Sequence, residues 1–295
     1  MGKNLTIIGA GAVATALGLA LARNGYRVLS VISRTRSSAA RLSKKVKCRI
    51  ASASVADIHP DTNLLLIAVP DREVAAVAKS IAARASLQWK TVFTFHTSGL
   101  LTSESLHPLS NKGARTFSLH PIQTFPRNAT RESLTGISYG FEGKRSAEAS
   151  AKLLVKDLRG QFLNVPKDAK VLYHCACVIA SNYPVVLLNV VDELARRRLK
   201  PGSLRHFRAL TETSIRNAFE ANPRSALTGP IARGDAHTVQ AHVHALLKSS
   251  RETIALYRAL GIAAARMSRA NGLLNSSELK ELTQLLSIEY EHLSL

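Results

Sequence analysis

The stretch LTIIGAGAVATALGLALARNGYRVLSVISRTR, residues 5–36, decides the fold. Its first four residues are apolar and β-prone, and they run into Gly9-Ala10-Gly11-Ala12-Val13-Ala14. Apolar residues then recur at helical spacing through Leu17, Leu21 and Ala22 until Asn24-Gly25 ends the pattern, and a second β-rich run covers 26–32. Strand, glycine turn, helix and strand in this order give the G-x-G-x-x-A form of the dinucleotide fingerprint its proper context.

The chemistry explains the spacing. Gly9 permits the tight turn, Gly11 lets the backbone approach a pyrophosphate, and small Ala14 lets helix and strand pack closely. The helix start offers free N–H groups and partial positive charge to phosphates. Ala10, Ala12 and Val13 complete this phosphate loop. An NAD site places Asp or Glu after the second strand to accept from the ribose 2′-hydroxyl; here Ser33, Arg34 and Arg36 stand there instead. A hydroxyl and an Arg fork suit a 2′-phosphate, so the expected cofactor is NADP.

The chain continues as a doubly wound sheet. A helix is expected over 37–47 and a strand over 48–51; the unbroken apolar run 63–69 reads as a central parallel strand buried on both faces. Ligands bind at the carboxyl ends of such strands, which places Val69 and Pro70 beside the cofactor. Strands over 91–95 and 116–119 deliver His96-Thr97-Ser98-Gly99 and His120-Pro121-Ile122-Gln123 to the same edge. A strand over 136–141, a helix over 146–158 and a strand over 161–165 complete the sheet. His96 is a candidate for cofactor contact and chemistry, and Ser98 and His120 for substrate contact.

Composition changes near residue 165, and from there the sequence is helical. The expected division is 1–165, a dinucleotide-binding domain, and 166–295, a helical domain. Residues 168–198 are apolar along most of their length and read as a buried helix linking the two. Lys170, His174 and Ser181 fall on one stripe of this helix, Asn182 lies at its edge, and Pro184 should kink it nearby. A polar stripe on an apolar helix is costly unless satisfied, so Lys170, His174 and Asn182 are candidate catalytic groups. Equally, His174 could be a hydrogen-bonded core residue and Lys170 could snorkel from the first turn. Later helices are expected over 203–221, 236–260 and 276–295. The polar loop 222–235 holds Arg233, a candidate substrate ligand, and ends in Asp235, a good N-cap.

The 295 residues carry 40 Lys and Arg against 20 Asp and Glu, a formal charge of +20. Basic residues are spread along the chain, no nucleic-acid motif is present and aromatics are few, so nucleic acid is not an expected partner. Three cysteines, Cys48, Cys175 and Cys177, are too few for a disulfide framework and fit a reducing cytoplasm. Cys175 and Cys177 lie roughly 200° apart on a helix, and His242 and His244 also diverge, so no metal set is read. Residues 5–22 lack charge, yet their glycine turn and helical phasing argue against a signal peptide; no other span reads as membrane-length, and no membrane is expected.

The loop 226–235, together with His96-Thr97-Ser98-Gly99, 118–123, Tyr173-His174 and Ser181-Asn182-Tyr183, resembles Rossmann-like proteins carrying the C-terminal domain of unknown function 2520. The N-terminal half is also similar to the NADP-binding domain of deazaflavin-dependent NADP oxidoreductases and pyrroline-5-carboxylate reductases. The overall plan resembles ketopantoate and β-hydroxyacid dehydrogenases, with a C-terminal part like that of 6-phosphogluconate dehydrogenase. This resemblance implies a Rossmann-type parallel sheet plus an all-helical domain. It further implies an NADP-dependent oxidoreductase, commonly dimeric through the helical domain, with substrate between the domains. The β-hydroxyacid dehydrogenases follow their Lys with Asn one helical turn later; here His174 follows Lys170 and Asn182 is farther on. The expected reaction is reduction of a C=O or C=N bond in a small acidic metabolite, with Lys170 or His174 giving the proton and Asn182, Ser98 and Arg233 orienting substrate. The alternative is a non-catalytic NADP-binding regulator or redox sensor.

Overall fold

The computed structural model describes residues 2–126 and 130–287. It divides into two compact units, Met1–Tyr183 and Pro184–Leu295. The first opens with β1 (Asn4–Ile8), α1 (Ala12–Arg23), β2 (Arg27–Ile32), α2 (Arg36–Lys45) and β3 (Ile50–Ser52). Next come β4 (Leu64–Ile67), α3 (Asp71–Arg84), β5 (Phe93–His96), α4 (His107–Ser110) and β6 (Arg115–Pro121). It closes with β7 (Ser138–Gly143), α5 (Arg145–Asp157) and β8 (Gln161–Asn164), after which α6 (Lys170–Arg196) runs on into the second unit. The change from α/β to helical sequence therefore lies near 165, while the compact units divide farther on, inside α6.

The strands form one sheet in the order β3-β2-β1-β4-β5-β6-β7-β8, in which β7 runs antiparallel to β6 and the other neighbours are parallel. The apolar run of β4 is split between two cores. Leu64 and Leu66 pack with residues of α1, α2 and α5, whereas Leu65 and Ile67 pack with α3 and α4. Each such side chain contributes roughly 1.5–3 kcal/mol by leaving water. The order reverses where β1 sits between β2 and β4, and a crevice for ligand opens at the carboxyl ends of strands at such a point.

Polar groups inside the sheet are satisfied in sequence. The Thr62 hydroxyl donates to the His59 carbonyl at 2.7 Å, so it accepts from Thr6 at 2.7 Å, and Thr6 accepts in turn from Ser30 at 2.6 Å. The Ser30 oxygen then accepts the His59 N–H at 3.2 Å. This closed circuit ties the approach to β4 onto β1 and β2.

The second unit holds α7 (Arg208–Glu220), α8 (Ala236–Leu246), α9 (Arg251–Ala270) and α10 (Ser276–Ser287). Its core is Val239, Val243, Ala265, Leu274, Leu282 and Leu286. Asp235 caps α8 by accepting the Thr238 N–H at 3.0 Å. Residues 288–295, expected to prolong the last helix, lie outside the described residues.

Three expectations are corrected. The single helix over 236–260 is two, because Ser250 turns out of helical conformation and caps α9 by accepting the Thr253 N–H at 3.2 Å. The helix after 168 is not a core helix, since none of its most apolar window is buried: Leu172, Ile179 and Tyr183 are 76%, 52% and 54% exposed. That helix, within Lys167–Arg196, has a mean hydropathy of 1.6 and is long and apolar enough to cross a membrane by length and composition, so a membrane-length segment does exist.

Candidate active site

Two groups of residues meet at the carboxyl edge of the sheet. The first lines a cleft of about 770 Å³ at the ends of β1, β2 and β4. Gly9 has φ of +108°, and a Cβ there would lie 2.1 Å from the Ala68 carbonyl oxygen, so only glycine fits. Gly11 is the N-cap of α1, and apart from its chain neighbours no atom of the described residues lies within 4 Å of where its Cβ would stand. The space ahead of the free α1 N–H groups is thus open to a phosphate. Ala14 is fully buried at the crossing of helix and sheet.

Gly9, Ala10, Gly11, Ala12, Val13, Ser33, Arg34, Val69 and Pro70 all border this cleft. Arg36 and His96 do not. Arg36 is the first residue of α2 and is exposed, because Thr35 takes the N-cap position and turns the chain into the helix. Ser38 and Thr35 line the cleft instead, and Arg41 donates to the Ser38 hydroxyl at 2.9 Å. Arg41 also borders an adjoining hollow of about 530 Å³ with Gly11 and Lys45. The helical spacing of Ser38 and Arg41 at i and i+3 was the available sign of this cation. Thr97 and Phe125 also line the cleft.

The second group follows β5 and β6. His96 is fully buried, its Nδ1 accepts the Ser98 N–H at 3.2 Å, and its Nε2 donates to the Thr102 carbonyl at 3.0 Å. Burial, helped by the Lys170 charge, holds its pKa down at about 4 against the opposing pull of the Thr102 bond and Asp71. A neutral ring with both nitrogens engaged has no proton or lone pair to offer a ligand, so His96 shapes the loop after β5. The Ser98 hydroxyl donates to Asp71 Oδ2 at 2.7 Å and accepts the N–H groups of Leu100 and Leu101, which fixes the same loop.

Lys170 is 1% exposed. Its ammonium donates to the Ser98 carbonyl at 3.2 Å and to the Ser118 hydroxyl at 2.9 Å. Desolvation lowers its pKa to about 8, while the carboxylates of Glu142 and Asp71 pull the other way. Glu142 is itself buried and accepts the N–H and hydroxyl of Ser103.

His120 Nδ1 lies 2.7 Å from the Tyr173 hydroxyl, and the His120 and His174 rings stand nearly perpendicular at 6.2 Å. Gly99 fits between them: a Cβ there would lie 2.6 Å from His174 Cδ2 and 3.0 Å from His120 Cε1. Thr97 on the first cleft and Gly99 against the two histidines belong to one short loop, so β5 brings both groups to the same edge. Tyr173 was visible in the sequence only as a neighbour of His174.

Asn182 is not gathered here. It is exposed, its side-chain amide lies 2.8 Å from the Ser181 hydroxyl oxygen, and it stands roughly 18 Å along the helix axis from Lys170. The Ser181 hydroxyl donates its proton to the Cys177 carbonyl at 2.7 Å, a bond within the helix. Arg233 is an exposed residue of the second unit, in the turn before α8.

Residues 3–121 match the model of a Rossmann-like domain, and residues 137–264 match that of DUF2520, a domain of unknown function. No curated protein sequence matches the chain. Among solved structures, a candidate NADP oxidoreductase from Bacteroides fragilis superposes with a TM-score of 0.75 at 23% identity, over 90% of this chain and 98% of that one. A protein from Thermotoga maritima gives 0.70 at 23% identity, over 91% and 99%. A pyrroline-5-carboxylate reductase from Coxiella burnetii gives 0.58 at 17% identity, over 93% and 99%. At these identities the likeness establishes the fold.

Proposed function

For a chain built as a Rossmann-like domain followed by a DUF2520 domain, we propose an NADP-dependent oxidoreductase that reduces a C=O or C=N bond of a small acidic metabolite. The observation that carries it is the cleft itself. Its glycine turn leaves open space before a helix N-terminus, and Ser33, Arg34, Thr35 and Ser38 line the end where an NAD site would hold a carboxylate. Gly9 to Val13 would hold the pyrophosphate, Ser33 and Arg34 the 2′-phosphate, and Val69, Pro70 and Thr97 the nicotinamide end. When bound, the cofactor supplies the hydride.

The chain's own residues have the remaining work: to orient the substrate and to stabilise the charge that grows on its oxygen or nitrogen. Lys170 cannot reach outward, because it is buried and engaged on Ser98 and Ser118. Its charge sits behind the site, and the donors nearest the edge are His120 and His174, both half-buried. The buried state of Lys170 is also what favours the second reading, a non-catalytic NADP-binding regulator.

The chain acts as a homodimer in this proposal. One side of α6 is docked on the strand edge through Lys170, Tyr173 and His174, while Leu172, Ile179 and Tyr183 recur at i, i+7 and i+11 and stay exposed. That spacing is a seam for another helix, and a second copy supplies one. Three free thiols fit a cytoplasmic setting.

Fluorescence titration of NADPH and NADH tests the cofactor assignment, with Arg34→Ala alongside. NADPH should bind at least tenfold more tightly, about 1.4 kcal/mol, and the variant should lose the preference. Failure of both nucleotides to bind at micromolar concentration would end the oxidoreductase reading.

A further inference from the structure

We infer that His120 is the neutral hydrogen-bond donor that polarises the substrate's C=O or C=N, and that Tyr173 is the positioning residue that fixes its proton on Nε2. The assignment of a substrate to this edge rests on the oxidoreductase reading; the state of the ring does not.

The direction of the His120–Tyr173 bond follows from what each atom can do. The Tyr173 hydroxyl has one proton and two neighbours, His120 Nδ1 at 2.7 Å and the Cys177 thiol one helical turn on. An imidazole nitrogen is a good acceptor and a thiol sulfur a weak one, so the hydroxyl donates to Nδ1. Neutral His120 must then carry its proton on Nε2. That nitrogen lies beside Gly99, whose Cβ would stand 3.1 Å away, and it has no protein acceptor among the described residues.

The backbone is shaped for this pair. Gly140 is the Cα partner of His120 across the β6–β7 ladder, and a Cβ on Gly140 would lie 2.3 Å from the Tyr173 hydroxyl. Glycine at 140 lets the hydroxyl reach His120, and glycine at 99 lets the His120 and His174 rings close against the loop after β5. Perpendicular packing of the Tyr173 and His120 rings, with centroids 5.7 Å apart, holds the imidazole orientation.

The surrounding charges keep the ring neutral. Burial comes first, then the Lys170 ammonium and His174; Asp71 acts in the opposite sense, and together they bring His120 to about 4. Tyr173 is pushed upward by burial and the Cys177 thiol likewise, so neither offers a negative charge to counter Lys170. Glu142 is turned to Ser103. A neutral imidazole is a donor that does not first have to be charged, and its N–H can follow the growing charge on an oxygen or nitrogen as hydride arrives at carbon. The His120 N–H bond stays intact throughout: hydride forms the new C–H bond, the π pair of the C=O or C=N moves onto oxygen or nitrogen, and that atom takes its proton from solvent.

Long-range ¹H–¹⁵N spectra of ¹⁵N-histidine-labelled protein read the tautomer directly, with His120→Gln assigning the signals. The expected result is one neutral form, protonated on Nε2, unchanged from pH 8 down to about pH 6. Tyr173→Phe keeps the ring but removes the hydroxyl; it should give mixed tautomers and move the titration upward. Gly140→Ala should do the same by displacing the hydroxyl, with near-ultraviolet circular dichroism confirming that each variant is folded. A wild-type ring protonated on Nδ1 or charged at pH 7, or a folded Tyr173→Phe with an unchanged spectrum, would overturn the inference. NADPH titration of the wild type is independent of these spectra. Failure to bind would remove the substrate role and leave the tautomer result to stand alone.

Discussion

Lys170 donates to the Ser118 hydroxyl at 2.9 Å, and Ser118 donates on to the Ser98 carbonyl at 3.1 Å, which also accepts from Lys170. One ammonium thus pins the ends of β5 and β6 together. Because Ser118 and Ser98 also bond each other, Lys170→Met leaves neither polar group orphaned and removes a buried charge.

The pH dependence has a definite sign. The Lys170 pKa falls from 10.5 in the unfolded chain to about 8 in the fold. Between these values the unfolded state holds more protons, so stability rises with pH; below about 8 both states are charged and the full penalty remains. The urea midpoint of the wild type should climb from pH 8 to 10 relative to Lys170→Met. At pH 7 the variant should be as stable or more so, by less than about 3 kcal/mol, since Glu142 loses an attractive cation. A flat difference across that range would show that the ammonium is not depressed.

The two glycines of the phosphate loop should separate folding from binding. Gly9→Ala forces a side chain to φ of +108° and against the Ala68 carbonyl, so it should cost at least about 2 kcal/mol. Gly11→Ala meets nothing within 4 Å and keeps an ordinary backbone, so stability should stay within about 1 kcal/mol. Its methyl would occupy the phosphate space, and NADPH should no longer shift the melting temperature. Equal loss of stability in the two variants would contradict the open space at Gly11.

The sheet was legible because strands buried on both faces read as unbroken apolar runs, and because Gly9 and Gly11 carry their backbone demands in the sequence. What the sequence left open was direction and distance. It brought His96 to the strand end but could not show that the ring turns inward to Thr102 and Ser98. The His120–Tyr173 bond joins residues far apart in the chain, invisible to any local pattern. For α6 the apolar composition was right and the inference of burial wrong, since apolar composition alone does not tell a buried helix from an exposed one. The break before α9 lacks Gly or Pro and rests on a single serine cap.

Arg41, rather than Arg36, should share the 2′-phosphate with Arg34. Arg41 is tethered to Ser38 on the cleft wall, whereas Arg36 opens α2 outside the cleft. Titrations should show the NADPH preference falling roughly tenfold in Arg34→Ala and in Arg41→Ala, about 1.4 kcal/mol each, with NADH binding little changed. Arg36→Ala should resemble the wild type. A larger loss in Arg36→Ala than in Arg41→Ala would reverse the assignment.

The bare face of α6 gives the last prediction. Leu172, Ile179 and Tyr183 present a seam at heptad-like spacing that water solvates poorly, and their helix is anchored on its other side by the buried Lys170. Two copies meeting along this seam would hide it without any rearrangement of the strand edge. Sedimentation equilibrium should find the wild type dimeric at micromolar concentration. Ile179→Glu would bury a carboxylate in the seam and should weaken association at least tenfold, while NADPH affinity should hold because Ile179 does not line the cleft at the glycine turn. A monomeric wild type at tens of micromolar would refute the seam as a dimer interface. A protein that partitions into detergent or vesicles would instead assign the same face to lipid.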